Sequence, residues 1–325
     1  MSSIRADSGV FACTHDGSVQ SYQCSPRTAS RRFLDFDGDR HIFMNRAGRV
    51  STMKDSMTQY WPFSGLMRQG ALRERLIVSL DLRDRGDALR LVERLARVVG
   101  MFRIGRALFV GGGPDFIREI RRRGAEVFLD LKFHDNPQKV LRAAVEATRL
   151  GVKMFDIHPY GSACGSTEMM TRTRAEIARI CRTEGLRRPS ILAVAMLAEM
   201  KSESSTPRPT ECHDRVTRIA RFAADASLDG VVTWPHEVPR VRNTCGRRFI
   251  IVTSGVQLGD IAGPDSHAIT AADAIRAGAD YVVVGSPISR AAEPLRAVRQ
   301  IADDIERGLR NSPRRTLEIL NPRPV

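Results

Sequence analysis

From residue 75 onward the chain repeats one unit, a short apolar run rich in β-branched residues followed by an amphipathic stretch of helix length. The runs are Leu76–Asp81, Met101–Ile104, Glu126–Lys132, Lys153–His158, Ser190–Met196, Gly230–Thr233, Phe249–Thr253 and Tyr281–Gly285. Helical patterning falls between them at Asp87–Val99, Pro114–Arg123, Pro137–Leu150, Thr167–Glu184, Cys212–Ala226, Ala271–Ala277 and Ser289–Gly308. Pro114 and Pro137 suit a first helical turn, where a missing N–H costs little, and Gly124, Gly151 and Gly278 suit helix ends. Eight strand and helix units over this length predict an α/β protein built as a closed (β/α)8 TIM barrel, with a doubly wound open sheet as the alternative.

The barrel is expected to span residues 75–308, between an irregular or disordered extension at 1–74 and a tail at 309–325. The extension shows neither helical nor alternating periodicity. It lacks the apolar segment of a secretory signal, and Asp7, Asp16, Asp35, Asp37 and Asp39 argue against an organelle transit peptide. An initiator at Met53 or Met67 would fit the same pattern. Gly111-Gly112-Gly113-Pro114 has neither dinucleotide-loop spacing nor a phosphate-loop lysine, and reads as a flexible helix entry.

Charge and cysteine usage narrow the setting. The net charge is +14, but no segment holds a dense basic block, so the surplus reads as solvated faces and no nucleic-acid partner is expected. The longest apolar run, Ile191 to Ala198, is far shorter than the roughly 20 residues that cross a bilayer, so no membrane partner is expected either. Six cysteines are scattered without a C-x-x-C pair, which fits free thiols and a cytoplasmic setting and offers no metal site.

In a barrel of this type the chemistry sits at the C-terminal strand ends. These are polar here: Asp81, Arg103, Asp130, Lys132, Asp135, Asp156, His158, Glu199 and Ser254. Period-two alternation places Asp130 and Lys132 on one side of their strand, facing the barrel mouth. Carboxylates bracketing an ammonium repel an incoming carboxylate and suit proton delivery to a carbanion. An ion-pair cluster at a barrel end would account for the charges alone. Residue choice argues further: 46 of the 51 basic residues are arginines, and a proton donor must be able to release its proton, which arginine practically cannot.

The run Asp130-Leu-Lys132-Phe-His-Asp135-Asn-Pro137 resembles the D-x-K-x-H-D-I-P signature of the orotidine 5'-phosphate decarboxylase family. The likeness extends in order through Ser79-Leu80-Asp81, Arg103-Ile104-Gly105, Phe155-Asp156-Ile157-His158-Pro159, Ser254-Gly255-Val256 and the run from Gly278 to Ile288. The resemblance implies a carboxy-lyase that makes UMP in pyrimidine biosynthesis without metal or organic cofactor, acting on a small-molecule nucleotide. It implies that Lys132 protonates C6 as carbon dioxide leaves, that Asp130 crowds the substrate carboxylate, and that Asp81 holds ribose hydroxyls. It also implies a homodimer in which Asp135 enters the partner's site.

Several positions depart from the family pattern. Arg103 stands where the family has a lysine, Ser286 where it has the phosphate arginine of G-R-P-I, Asp265 near a phosphate glutamine, and Ser254 at the proline of P-G-I. Ala198 and Glu199 fall where a Ser or Thr reads the pyrimidine. Substrate contacts are therefore expected from Asp81, His158, Glu199, Ser254, Gly255, Gly285, Ser286 and Arg290, the last as a replacement cation for the phosphate. Ser202 to Pro209 reads as a loop over the mouth. Two other readings are a barrel that has lost catalysis and serves as a binding or regulatory subunit, and a metal-assisted sugar-phosphate aldolase or decarboxylase of the same barrel group.

Overall fold

The computed structural model describes five short strands within residues 10–52 and, beyond them, residues 74–159, 166–196, 209–256 and 269–310. The chain divides into two units, Met1–Leu66 and Met67–Val325.

In the first unit β1 (Val10–His15) pairs antiparallel with β2 (Ser18–Gln23). β3 (Leu34–Asp35), β4 (His41–Met44) and β5 (Val50–Thr52) form an antiparallel meander. Within the stretch expected to be irregular, the described residues thus form two small ladders.

The second unit is a closed barrel of eight parallel strands: β6 (Leu76–Ser79), β7 (Met101–Gly105), β8 (Glu126–Phe133), β9 (Met154–Ile157), β10 (Ser190–Val194), β11 (Gly230–Thr233), β12 (Ile250–Ser254) and β13 (Tyr281–Val284). β13 pairs with β6 and closes the ring. Every run read from the sequence became a strand. Helices cover the outside, and most begin where the sequence punctuates: Asn136 caps Pro137–Arg149, and Thr270 with Asp273 forms a reciprocal cap on Ala271–Ala277. The glycine run lies inside the helical stretch Arg106–Arg122, which bends at Gly113 (φ 60°) directly before Pro114.

The interior is filled by Ile77, Met101, Phe128, Met154, Leu192, Val232, Val252 and Val283, one from each strand. Each such side chain contributes about 1.5–3 kcal/mol on leaving water. At the N-terminal strand ends, carboxylates knit neighbouring strands together. Asp229 accepts the Ile191 N–H at 2.8 Å, and Asp280 accepts the Ile251 N–H at 2.8 Å and the Arg242 guanidinium at 2.7 Å. That end is a stability face, which leaves the opposite end free for chemistry.

Candidate active site

Side chains alternate along a strand, so the residue two positions beyond each core residue faces the same interior, one pleat nearer the mouth. Beyond Ile77, Met101, Phe128, Met154, Val252 and Val283 those residues are Ser79, Arg103, Asp130, Asp156, Ser254 and Gly285. The pleat that seals the barrel with hydrocarbon therefore carries the polar layer above it. A cavity of about 640 Å³ opens there, lined by Ser79, Asp81, Arg103, Ser254, Gly255, Val256, Val283, Gly285, Ser286 and Pro287.

The charges form a connected cluster. Arg103 Nε donates to Asp130 Oδ2, while its Nη1 donates to Ser79 Oγ at 2.5 Å and to Asp81 Oδ1 at 3.2 Å. Lys132 Nζ donates to Asp130 Oδ1 at 2.5 Å and lies 3.5 Å from Asp156 Oδ2. Asp130 and Asp156 are buried, and both face the Lys132 ammonium.

This setting splits the two carboxyls. Burial pushes Asp130 up, but the hydrogen bond from Asp156 and the charges of Arg103 and Lys132 outweigh it and hold the group at about 2. Complete burial, reinforced by the negative charge of Asp130, pushes Asp156 well above the carboxylate range. The two carboxyls are therefore unequal: Asp130 is held as the carboxylate, and Asp156 keeps its proton to higher pH than a free aspartate does. Burial works against the charge of Arg103 too, yet Asp130 and, behind it, Asp81 and Asp156 raise its pKa.

Lys132 reaches the mouth by a different route from simple alternation. Its backbone is left-handed (φ 51°), and β8 advances four residues, Leu129 to Phe133, while β9 advances two, Phe155 to Ile157. This bulge turns the side chain toward Asp130. A left-handed conformation costs a non-glycine residue about 1–2 kcal/mol. An offsetting contact is present, because the Lys132 N–H donates to Asp156 Oδ1 at 2.8 Å.

The remaining expected residues divide. Ser254, Gly255, Gly285, Ser286 and Asp81 line the cavity, and Ser254 Oγ lies 3.5 Å from Met196 Sδ. A Cβ on Gly285 would stand 2.8 Å from Asp81 Oδ2, so any other residue there would push that carboxylate aside. The His158 ring packs on His134 at 4.6 Å, and its main-chain N–H donates to the Phe133 carbonyl. Asp135 bonds to the chain that follows it. It accepts the Asn136 N–H at 2.7 Å and the Lys139 ammonium at 3.3 Å, contacts that lower its pKa. Arg290 follows the short helix Ser286–Ser289 and is not among the cavity-lining residues. Glu199, Ala198 and Asp265 lie outside the described residues.

The sequence reading noted Asp156 as polar but gave it no role, and it passed over Ser79. Counting two residues on from the interior layer finds both. Among the described residues, no three His, Cys, Asp or Glu side chains are placed to hold one metal ion.

A protein-family model described as the orotidine 5'-phosphate decarboxylase / HUMPS family matches residues 74–301. A Geobacter sulfurreducens protein named orotidine 5'-phosphate decarboxylase is 40% identical over 247 residues, covering 74% of this chain and 100% of its own length. A Syntrophus aciditrophicus protein of the same name is 40% identical over 241 residues, covering 73% of this chain and 94% of its own. Among solved structures, orotidine 5'-phosphate decarboxylase from Lactobacillus acidophilus aligns with a TM-score of 0.59 at 26% identity, covering 71% of this chain and 98% of that one.

Proposed function

Since the chain belongs to the orotidine 5'-phosphate decarboxylase / HUMPS family, we propose that it converts orotidine 5'-phosphate to UMP and carbon dioxide, the carboxy-lyase step of pyrimidine biosynthesis. The observation that carries this reading is the Lys132 ammonium held against buried Asp130, whose other oxygen is bound by the cavity-lining Arg103.

In this reading the substrate carboxylate enters beside Asp130, whose negative charge is fixed because its carboxyl titrates near 2. Repulsion there is relieved as the carbon–carbon bond breaks and neutral carbon dioxide departs. The bonding pair stays on C6, and Lys132 supplies the proton that quenches it. Only interactions stronger in the transition state than in the ground state accelerate such a step, and a preset ammonium against a developing carbanion is one. Arg103 anchors Asp130 from the other side and braces Asp81, which we assign to the ribose hydroxyls.

We assign the phosphate to Gly285 and Ser286, whose main-chain N–H groups, with the Ser286 hydroxyl, replace the family's arginine. We assign Asp135 to the partner's site in a homodimer. Its exposure just before the helix Pro137–Arg149 supports that assignment.

The test is the loss of orotidine 5'-phosphate absorbance with purified protein, with and without EDTA. Activity that resists EDTA and vanishes in Lys132→Ala, with the circular dichroism unchanged, is expected. Activity that needs a divalent metal would favour a sugar-phosphate enzyme of the same barrel group. Lys132→Ala retaining most of the activity would remove the proton-donor assignment.

A further inference from the structure

We propose that Asp156 is the positioning residue for Lys132: its carboxyl clamps both the main chain and the ammonium of that residue, and so fixes where the proton is delivered. This rests on the decarboxylase reading above and adds to it a residue outside the signature run.

Three observations converge. First, Asp156 is wholly buried in β9, two residues on from the core residue Met154, so its backbone place is set by the barrel rather than by a loop. Second, its Oδ1 accepts the N–H of Lys132 at 2.8 Å, at the one point of β8 where the ladder to β9 is broken by the bulge. The N–H released from the ladder has to find an acceptor, and this side chain supplies it. Third, Oδ2 of the same carboxyl lies 3.5 Å from Lys132 Nζ, while Asp130 Oδ1 takes that ammonium at 2.5 Å. One rigid carboxyl thus sets both ends of a side chain that otherwise has four free torsions. Strain at Lys132 persists only because its surroundings over-determine it, and Asp156 is the group that does so.

An ordinary buried ion pair would not need these features. An aspartate placed only to balance Lys132 would contact the ammonium most closely, but the shorter contact of Asp156 is with the backbone. The function is geometric, and it survives exchange of the carboxyl for an amide, whose oxygen still accepts from the N–H and whose NH2 can donate to Asp130.

The experiment compares Asp156→Ala, Asp156→Val and Asp156→Asn in the full chain. The valine fills the closed interior if alanine leaves an unstable void. Alanine or valine is expected to lower kcat about 100-fold, the scale of an ångström-level misplacement, with KM little changed. Asparagine is expected to restore most of the lost kcat. A second readout is independent of turnover. The chain has five lysines, so protein labelled with carbon-13 at lysine Cε gives a countable NMR spectrum, with Lys132 assigned from Lys132→Ala. The Lys132 signal should sit apart from the solvated lysines in wild type and Asp156→Asn, and should collapse onto them in Asp156→Ala or Asp156→Val. Alanine and valine variants within twofold of wild-type kcat, an asparagine variant as impaired as they are, or a Lys132 signal unmoved by all three would each overturn the proposal. If wild type fails to turn over orotidine 5'-phosphate, the decarboxylase reading falls and the lysine spectra still decide the role of Asp156.

Discussion

Arg103 and Lys132 grip opposite oxygens of the Asp130 carboxylate, the guanidinium on Oδ2 and the ammonium on Oδ1. The two cations are not interchangeable. Arg103 spends its fork on Asp130, Ser79 and Asp81 and stays charged throughout, so it fixes the carboxylates. Lys132 has a single nitrogen that can part with a proton.

Loss of Arg103 should therefore be felt first as loss of stability. Removing one partner of a buried ion pair typically costs about 3–5 kcal/mol, because the stranded charge stays in the interior. Arg103→Ala is expected to approach that range in urea unfolding, and Arg103→Lys to recover much of it. An alanine variant as stable as wild type would show that solvent replaces the guanidinium.

The Asp130–Asp156 pair makes stability depend on pH in two opposite ways. Asp130 titrates lower in the folded chain than in the unfolded one, where it sits at about 3.9, so its contribution is whole above that value and disappears as pH falls through about 2. Asp156 is raised, so its contribution is whole below about 3.9 and is lost as pH climbs toward its folded value. Asp156→Asn is neutral at every pH and should escape the second loss. Its Tm relative to wild type should rise from pH 5 upward, by about 2–4 °C for each kcal/mol, and level off where Asp156 ionises in the fold. A constant difference across that range would mean that Asp156 is ionised in the fold.

The phosphate end invites a gain-of-function test. A charge-assisted hydrogen bond contributes about 1.5–3 kcal/mol, so an arginine at position 286 should raise kcat/KM on orotidine 5'-phosphate about 10- to 100-fold. Steady-state rates of Ser286→Arg, alone and combined with Asp265→Gln, measure this. A wild-type protein that already matches its relatives would mean that another group holds the phosphate.

The homodimer assignment predicts complementation. Mixed dimers of Lys132→Ala and Asp135→Ala chains contain one site with both native residues, so unfolding and refolding the two inactive proteins together should restore about a quarter of the activity, as random pairing and additive sites dictate. No recovery, together with a monomeric sedimentation profile at micromolar concentration, would remove Asp135 from the site.

Much of this architecture could be read before any coordinates, for an identifiable reason. A strand buried on both faces, such as Tyr281–Val284, is a nearly continuous apolar run, and such runs stand out. The helix Val238–Cys245 was missed because it spans eight residues and buries only Val238 and Val241, too few to show a period. Asp130, Lys132 and Arg103 were found as a set because strand ends are where charge is unexpected. The left-handed turn at Lys132 was hidden, since Leu129-Asp130-Leu131-Lys132 alternates in sequence as though β8 were regular. Asp156 escaped for a related reason: its importance lies in an acceptor offered to another strand's backbone, and no residue pattern records that.

The bulge in β8 also bears on how this chain can change. Between Leu129 and Phe133 the strand carries two residues more than β9 spans, and within that surplus Lys132 turns left-handed and reaches Asp130 and Asp156. A single-residue deletion in that interval would slide the signature by one pleat and exchange inward for outward side chains, although the barrel hydrogen bonds could still form. Point substitutions on the outer face of β8 leave that phase intact. Drift by substitution is thus open to this lineage along β8, while drift in length is closed, and libraries built to redirect the enzyme should vary residue identity there and hold the spacing fixed.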